Sequence, residues 1–295
     1  MVKAKNKEQE IRRGHYSILE KIITIVQYVL TAIMVLVVLQ MILYSGYSFS
    51  MLRIAVIVSS GLAIYTMSLL SYSLLSWFRV NRALVVLLYG LAAALIGINI
   101  VTEAAIFEIA LQEKPAVVTP QSDVSFAVLA SGAIPKLLNA VQTICLILSF
   151  PLIWSGTILL LHQKIYRIGK VKFWVLVNTP LIVWSIFTLS FYQLIATPAP
   201  AGVDPIMIIA VPFLFINFSG LTSQILIGVI FSSVAKALSH APIVRDYMMI
   251  TAYGFILFFT ATSATIVGAG YPPLGLVNVL LLGPFSFLVL TGLYR

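Results

Sequence analysis

Polar side chains are scarce in this sequence, so the few that fall at helical spacing carry most of its chemical information. Asn99 and Glu103 are four residues apart and share one face of a helix. Glu103 follows Arg82 by 21 residues, which is about 31 Å of helical rise. That distance puts the carboxylate at the far end of an apolar run rather than at its middle. Asn139 and Gln142 stand at the same level on the next run, and Gln193 ends a third run there. A carboxylate surrounded by amides would line a polar pocket able to hold a small polar ligand. The competing reading is that these groups simply meet water and lipid headgroups at a boundary. A second constellation is a stripe of Asn217, Gly220, Gln224, Gly228 and Ser232. Its spacings of three and four keep it on one face. It reads as a helix-packing seam or as a polar path near the bilayer midplane, because small residues admit a neighbouring helix and amides can hydrogen-bond across the contact. Asn178, Thr179, Thr251 and Asn278 are further candidates for buried polar groups.

Other chemistry is missing. His15, His162 and His240 have no carboxylate or second histidine at helical spacing. The sequence contains no metalloprotease helix, paired-carboxylate helix motif, glycine-rich phosphate loop or nucleophile elbow. No aspartate falls inside an apolar run, whereas proton pumps and intramembrane metalloenzymes need acids at depth. The lone cysteine, Cys145, lacks the partners of a metal site and reads as a small packing residue. The sequence therefore predicts no enzyme activity, no metal and no cofactor.

The elements that position these residues follow from composition. The chain has 295 residues, of which 61% are hydrophobic and 9% charged. Soluble domains carry charge on about a quarter of their residues. Apolar runs at 22–44, 54–78, 83–109, 137–161, 173–195, 206–235, 247–268 and 273–294 are each long enough to cross a hydrocarbon core of about 30 Å. The prediction is an all-α integral membrane bundle of about eight transmembrane helices. Residues 1–21 form a basic leader and 22–295 a single membrane domain. The first run is too long for a signal peptide and no cleavage site follows it, so it reads as a retained span.

Charge orients the bundle. With the N-terminus inside, 15 basic residues fall on cytoplasmic segments and three, Arg53, Lys114 and Lys136, fall outside. The asymmetry alternates loop by loop and predicts both termini in the cytoplasm of a cell-membrane protein. Acids lean outward: Glu103, Glu108, Glu113, Asp123 and Asp204 outside, against Glu8, Glu10, Glu20 and Asp246 inside. The net charge of +9 thus follows topology. It points to anionic lipids at the cytoplasmic face, and not to nucleic acid. The longest connection, 110–136, is expected to be irregular because Pro115, Pro120 and Pro135 interrupt it. Pro151, Pro180, Pro212 and Pro284 lie within spans and favour kinks. Trp77 and Trp174 fit an interfacial belt, while Trp154 and Trp184 read as packed residues.

Three pieces of the second half carry a resemblance: Lys164–Trp174, with Tyr-Arg-Ile-Gly-Lys-Val-Lys-Phe-Trp; Ser233–Leu257, with Val-Arg-Asp-Tyr-Met-Met-Ile-Thr-Ala-Tyr-Gly-Phe; and Tyr271–Tyr294, with Tyr-Pro-Pro-Leu-Gly-Leu and a closing Thr-Gly-Leu-Tyr. Together they cover about a fifth of the chain. They resemble a group of uncharacterised multi-span membrane proteins from ammonia-oxidising archaea. The resemblance implies a hydrophobic bundle of this size and an archaeal origin, and it transfers no site. Members often carry a short polar tail after the last span, whereas this chain stops at Arg295. Within the second piece, Asp246 is expected to cap the start of the seventh helix. The function these features imply is a non-enzymatic, sensor- or receptor-like bundle acting through a membrane-protein partner. The alternatives are a structural or accessory subunit, and a small-solute transporter or channel.

Overall fold

The computed structural model describes residues 21–33, 47–112, 117–118, 133–165, 178–186, 225–236, 242–268 and 274–294, with isolated positions between them. These residues form α1 (Lys21–Ile33), α2 (Phe49–Asn81), α3 (Leu84–Gln112), α4 (Ala133–Ile165), α5 (178–186), α6 (Ile225–Lys236), α7 (Pro242–Gly268) and α8 (Leu274–Tyr294). The only extended structure among them is a two-residue antiparallel pairing of β1 (Tyr47–Ser48) with β2 (Val117–Val118), in which Tyr47 faces Val118. It joins the segment before α2 to the connection after α3.

Among the described residues, four helices are long and apolar enough to cross a membrane, over Arg53–Asn81, Leu84–Ile106, Ala140–Leu160 and Pro242–Ala261. The described parts of α1, α6 and α8 are apolar but shorter. α2, α3 and α4 extend a few residues beyond the apolar runs at one or both ends. α7 begins at Pro242, five residues before its run, because proline suits a first helical turn, where its missing N–H is no loss. Asp246 is therefore not the cap expected of it. It lies beyond the first turn, and the guanidinium of Arg245 donates to its carboxylate through Nε and Nη2, both at 3.1 Å.

The exterior of the helices is apolar, unlike that of a water-soluble fold. Along α2, Ile54, Ile57, Tyr65 and Tyr72 form an exposed stripe, while Ser59, Ser60, Thr66 and Ser71 are buried on the opposite face. Exposed apolar stripes also run along α3 (Leu91, Ile98, Val101) and α4 (Ile144, Leu148, Leu159). Water would penalise so much contiguous apolar surface, and hydrocarbon does not.

Hydroxyls and glycines join the helices. α2 and α3 form a tight hairpin through Arg82 and Ala83. The Arg82 N–H donates to the Phe78 carbonyl at 2.8 Å, closing α2, and the Val86 N–H donates to the Ala83 carbonyl at 3.0 Å, opening α3. Across the hairpin the Ser71 hydroxyl donates to the Gly90 carbonyl at 2.9 Å. α3 meets α4 through Tyr89 and Thr157, whose hydroxyls are 2.7 Å apart. α8 meets α2 through Thr66 and Ser286, whose hydroxyls are 2.6 Å apart; one donates across the contact, and the other is free to donate to a carbonyl of its own helix, Ala63 for Thr66 or Gly283 for Ser286. Gly283 lies against Leu62, so the contacts ascend together and α2 and α8 run in the same direction. α7 runs against α8. A side chain at Gly254 would strike the Val289 backbone nitrogen at 2.9 Å, and one at Gly292 would strike Thr251. The core then fills with Met67, Leu70, Ile153, Trp154, Phe231, Phe258 and Leu290, all nearly inaccessible.

Two outcomes test this packing. Arg82 holds a positive φ of 47°, a conformation that costs a residue with a Cβ about 1 kcal/mol. Arg82→Gly is expected to raise stability by about that amount in a denaturant titration in detergent. Gly254→Val should lower it by about 3 kcal/mol in the same titration, because backbone rather than a flexible side chain opposes the new atoms.

Candidate functional site

The structure describes three of the five residues of the first polar constellation with their surroundings: Asn99, Glu103 and Gln142. Asn99 and Glu103 lie on α3, on the side that continues from Tyr89, Ala92 and Ile96 towards α4. Both are half-buried. The Thr102 hydroxyl donates to the carbonyls of Ile98 at 3.1 Å and Asn99 at 2.8 Å, which consumes that hydroxyl locally. The Asn99 side-chain oxygen is buried with no hydrogen-bond partner. Glu103 has no ion-pair partner among the described residues. An uncompensated carboxylate beside an unsatisfied amide is costly in an apolar bundle, and such residues mark functional positions more often than packing positions.

The antiparallel register brings α4 into this region. From the Tyr89–Thr157 contact, fourteen residues along α3 reach Glu103, and fifteen back along α4 reach Gln142. Gln142 is half-buried at that level. Asn139 lies one turn further out on the α4 helix. Gln193, Asn217, Gly220 and Gln224 lie outside the described residues. Of the second constellation, Gly228 is buried where an added Cβ would strike the Ile256 side chain and meet the Ala252 carbonyl of α7, and Ser232 is half-buried.

The sequence reading missed the interaction that frames the site. Arg53, at the start of α2, makes a two-pronged ion pair with Glu108, near the end of α3; its Nε donates to Oε2 at 3.0 Å and its Nη2 to Oε1. A signal was present, since the two opposite charges lie almost equally far from the tight turn at Arg82. Pairing them pins the ends of α2 and α3 away from the Arg82 turn and leaves Glu103 without a cation among the described residues.

Below this level the described interior is lined by aromatic rings. Tyr89 stacks near Phe255 and meets the edge of Phe231, with centroids 6.4 and 6.1 Å away. Phe150 packs on Trp184 at 4.9 Å and on Trp154 at 6.2 Å. These rings join α3, α4, α5, α6 and α7 in one apolar layer. Two other polar candidates are not interior at all. Asn178 and Thr179 are exposed, and their side chains donate to the carbonyls one turn back, Trp174 at 2.9 Å and Val175 at 2.7 Å. The reason is local, since a back-bonded amide or hydroxyl needs no tertiary partner. Thr251 is buried as expected and donates to the Tyr247 carbonyl at 2.9 Å. Among the described residues no cluster of histidine, cysteine, aspartate and glutamate could hold a metal ion. Comparison with known proteins finds no matching family model, no matching curated protein and no matching solved structure.

The Arg53–Glu108 pair is half-exposed on the arginine side. A double-mutant cycle with Arg53→Met and Glu108→Gln should therefore give a coupling of about 1 kcal/mol or less, shrinking in high salt.

Proposed function

We propose that this chain is a multi-pass membrane protein of the cell membrane, with eight spans and both termini in the cytoplasm. It acts without enzymatic chemistry as a sensor- or receptor-like bundle. The outer polar site of Asn99, Glu103 and Gln142 receives a ligand or partner group, and the bundle passes the change to a membrane-protein partner.

The buried, unpartnered oxygen of Asn99 on the same face as the uncompensated Glu103 carries this reading. Two hydrogen-bond acceptors without donors favour a ligand that brings donors or positive charge. The span count is supported by helix direction. α2 and α8 run the same way and α7 runs against α8, so α4 and α7 point in opposite directions. α5 and α6 must then both cross or both fail to cross. Residues 173–195 and 206–235 are apolar over the length of a span, which favours crossing. The basic segments 79–82, 162–172 and 236–246 then share one side, in keeping with the positive-inside bias.

The aromatic layer beneath the site argues against the transporter reading, because no described polar group leads from Glu103 through Tyr89, Phe231 and Phe255. Gly228 is occupied by packing against α7, as in a seam. An accessory subunit remains the second reading, favoured by the densely packed core, which needs no moving part.

Capture from native membranes distinguishes them. Wild-type chain should retain a membrane-protein partner, and the interaction should respond to Glu103→Gln or Asn99→Ala while helical content stays unchanged. Recovery of no partner would count against both readings. Equal recovery with all three chains would remove Asn99 and Glu103 from the mechanism and leave the accessory role.

A further inference from the structure

The opposite end of the α2–α3 hairpin carries two cations that the outer site does not use. Arg79 lies in the last turn of α2 and Arg82 forms the turn itself, three residues on. Both are exposed. Each of the other two arginines of the described helices has an acid: Arg53 pairs with Glu108 and Arg245 with Asp246. Arg79 and Arg82 have none among the described residues, and the first turn of α3 contains no acid either. Large apolar side chains surround them. Trp77 is 51% exposed, Val80 80% and Leu84 54%. The exposed α2 stripe leads from Tyr72 directly to this turn. Arg82 also keeps a backbone conformation that glycine would adopt more cheaply, so its side chain is retained against a conformational cost.

We infer that Arg79 and Arg82 bind the phosphate of an anionic phospholipid at the α2–α3 turn. A guanidinium matches phosphate geometry with two parallel hydrogen bonds. Trp77 occupies the headgroup level, where its amphipathic ring is favoured, and the α2 stripe receives the acyl chains. A free phosphate would satisfy the two charges and leave the apolar surface without a role, so charge and surface together select a lipid. The inference rests on the reading that α2 and α3 cross a bilayer. It does not depend on what binds at Glu103.

Quenching of tryptophan by brominated acyl chains tests it in reconstituted full-length chain. Trp154 and Trp184 are buried, so Trp174→Phe leaves Trp77 as the exposed indole. Vesicles of phosphatidylcholine receive increasing brominated phosphatidylglycerol or brominated phosphatidylcholine. The glycerol lipid is expected to quench at a mole fraction lower by about fivefold per arginine engaged. Arg79→Gln and Arg82→Gly should each narrow that gap, and Arg245→Gln should leave it. Arg82→Gly is the decisive variant: it removes the cation while relieving the backbone, so a lost preference there is not unfolding. Equal quenching by the two lipids, or a preference that survives the Arg79→Gln, Arg82→Gly double variant, overturns the inference while leaving the bilayer reading intact. Absence of quenching by either lipid overturns the bilayer reading and the inference with it. Abolition of the preference by inorganic phosphate at matched ionic strength reassigns the cations to a soluble anion and rejects the lipid.

Discussion

α8 closes the bundle, and it can do so because its contacts are made by the smallest available groups. Gly254 and Gly292 let the α7 and α8 backbones approach until an added carbon would collide with main chain. On its other side α8 meets α2 through the Thr66–Ser286 hydroxyl pair. In an apolar solvent there is no hydrophobic drive between helices, so packing and interhelical hydrogen bonds must supply the association. Such a bond contributes about 0.6 kcal/mol on average in a membrane protein. The close approach of long helices contributes more, through many weak dispersion contacts. α2, α3 and α4 in sequence, and α7 and α8 behind them, are thereby held as one body rather than two hairpins.

That closure sets what the two ends can do. The hairpin of α2 and α3 is stapled at its open end by Arg53 and Glu108, and turns at its other end through Arg82. Between them, the rings of Tyr89, Phe231 and Phe255 pack together, and the Tyr89 hydroxyl is taken up by Thr157. Among the described residues, polar groups without partners therefore fall in two places: Asn99 and Glu103 toward the end of α3, and Arg79 and Arg82 at the α2–α3 turn.

Apolar runs made the long helices legible. Runs of apolar residues marked α2, α3, α4, α7 and α8, because a helix in lipid needs little more than length and hydrophobicity. Boundaries were less legible, since capping and proline can extend a helix past its apolar run, as Pro242 does. The site was legible where it depends on one helix: Asn99 and Glu103 follow from a four-residue spacing. It was not legible where two helices combine. The Arg53–Glu108 pair needs the hairpin register, and the Tyr89–Thr157 and Thr66–Ser286 pairs need partners 68 and 220 residues away. Asn178 and Thr179 misled for the opposite reason, because a polar residue in an apolar run can bond to its own backbone and face outward.

The central claim is an oriented bundle with Arg82 on one side of the membrane and the start of α2 on the other. Single cysteines at positions 48, 82 and 240, introduced into a Cys145→Ala chain, test it most directly with a membrane-impermeant thiol reagent on intact cells. The account predicts labelling at 48 in intact cells, and at 82 and 240 only after the membrane is opened. Labelling of 82 or 240 in intact cells, or protection of 48, would contradict it.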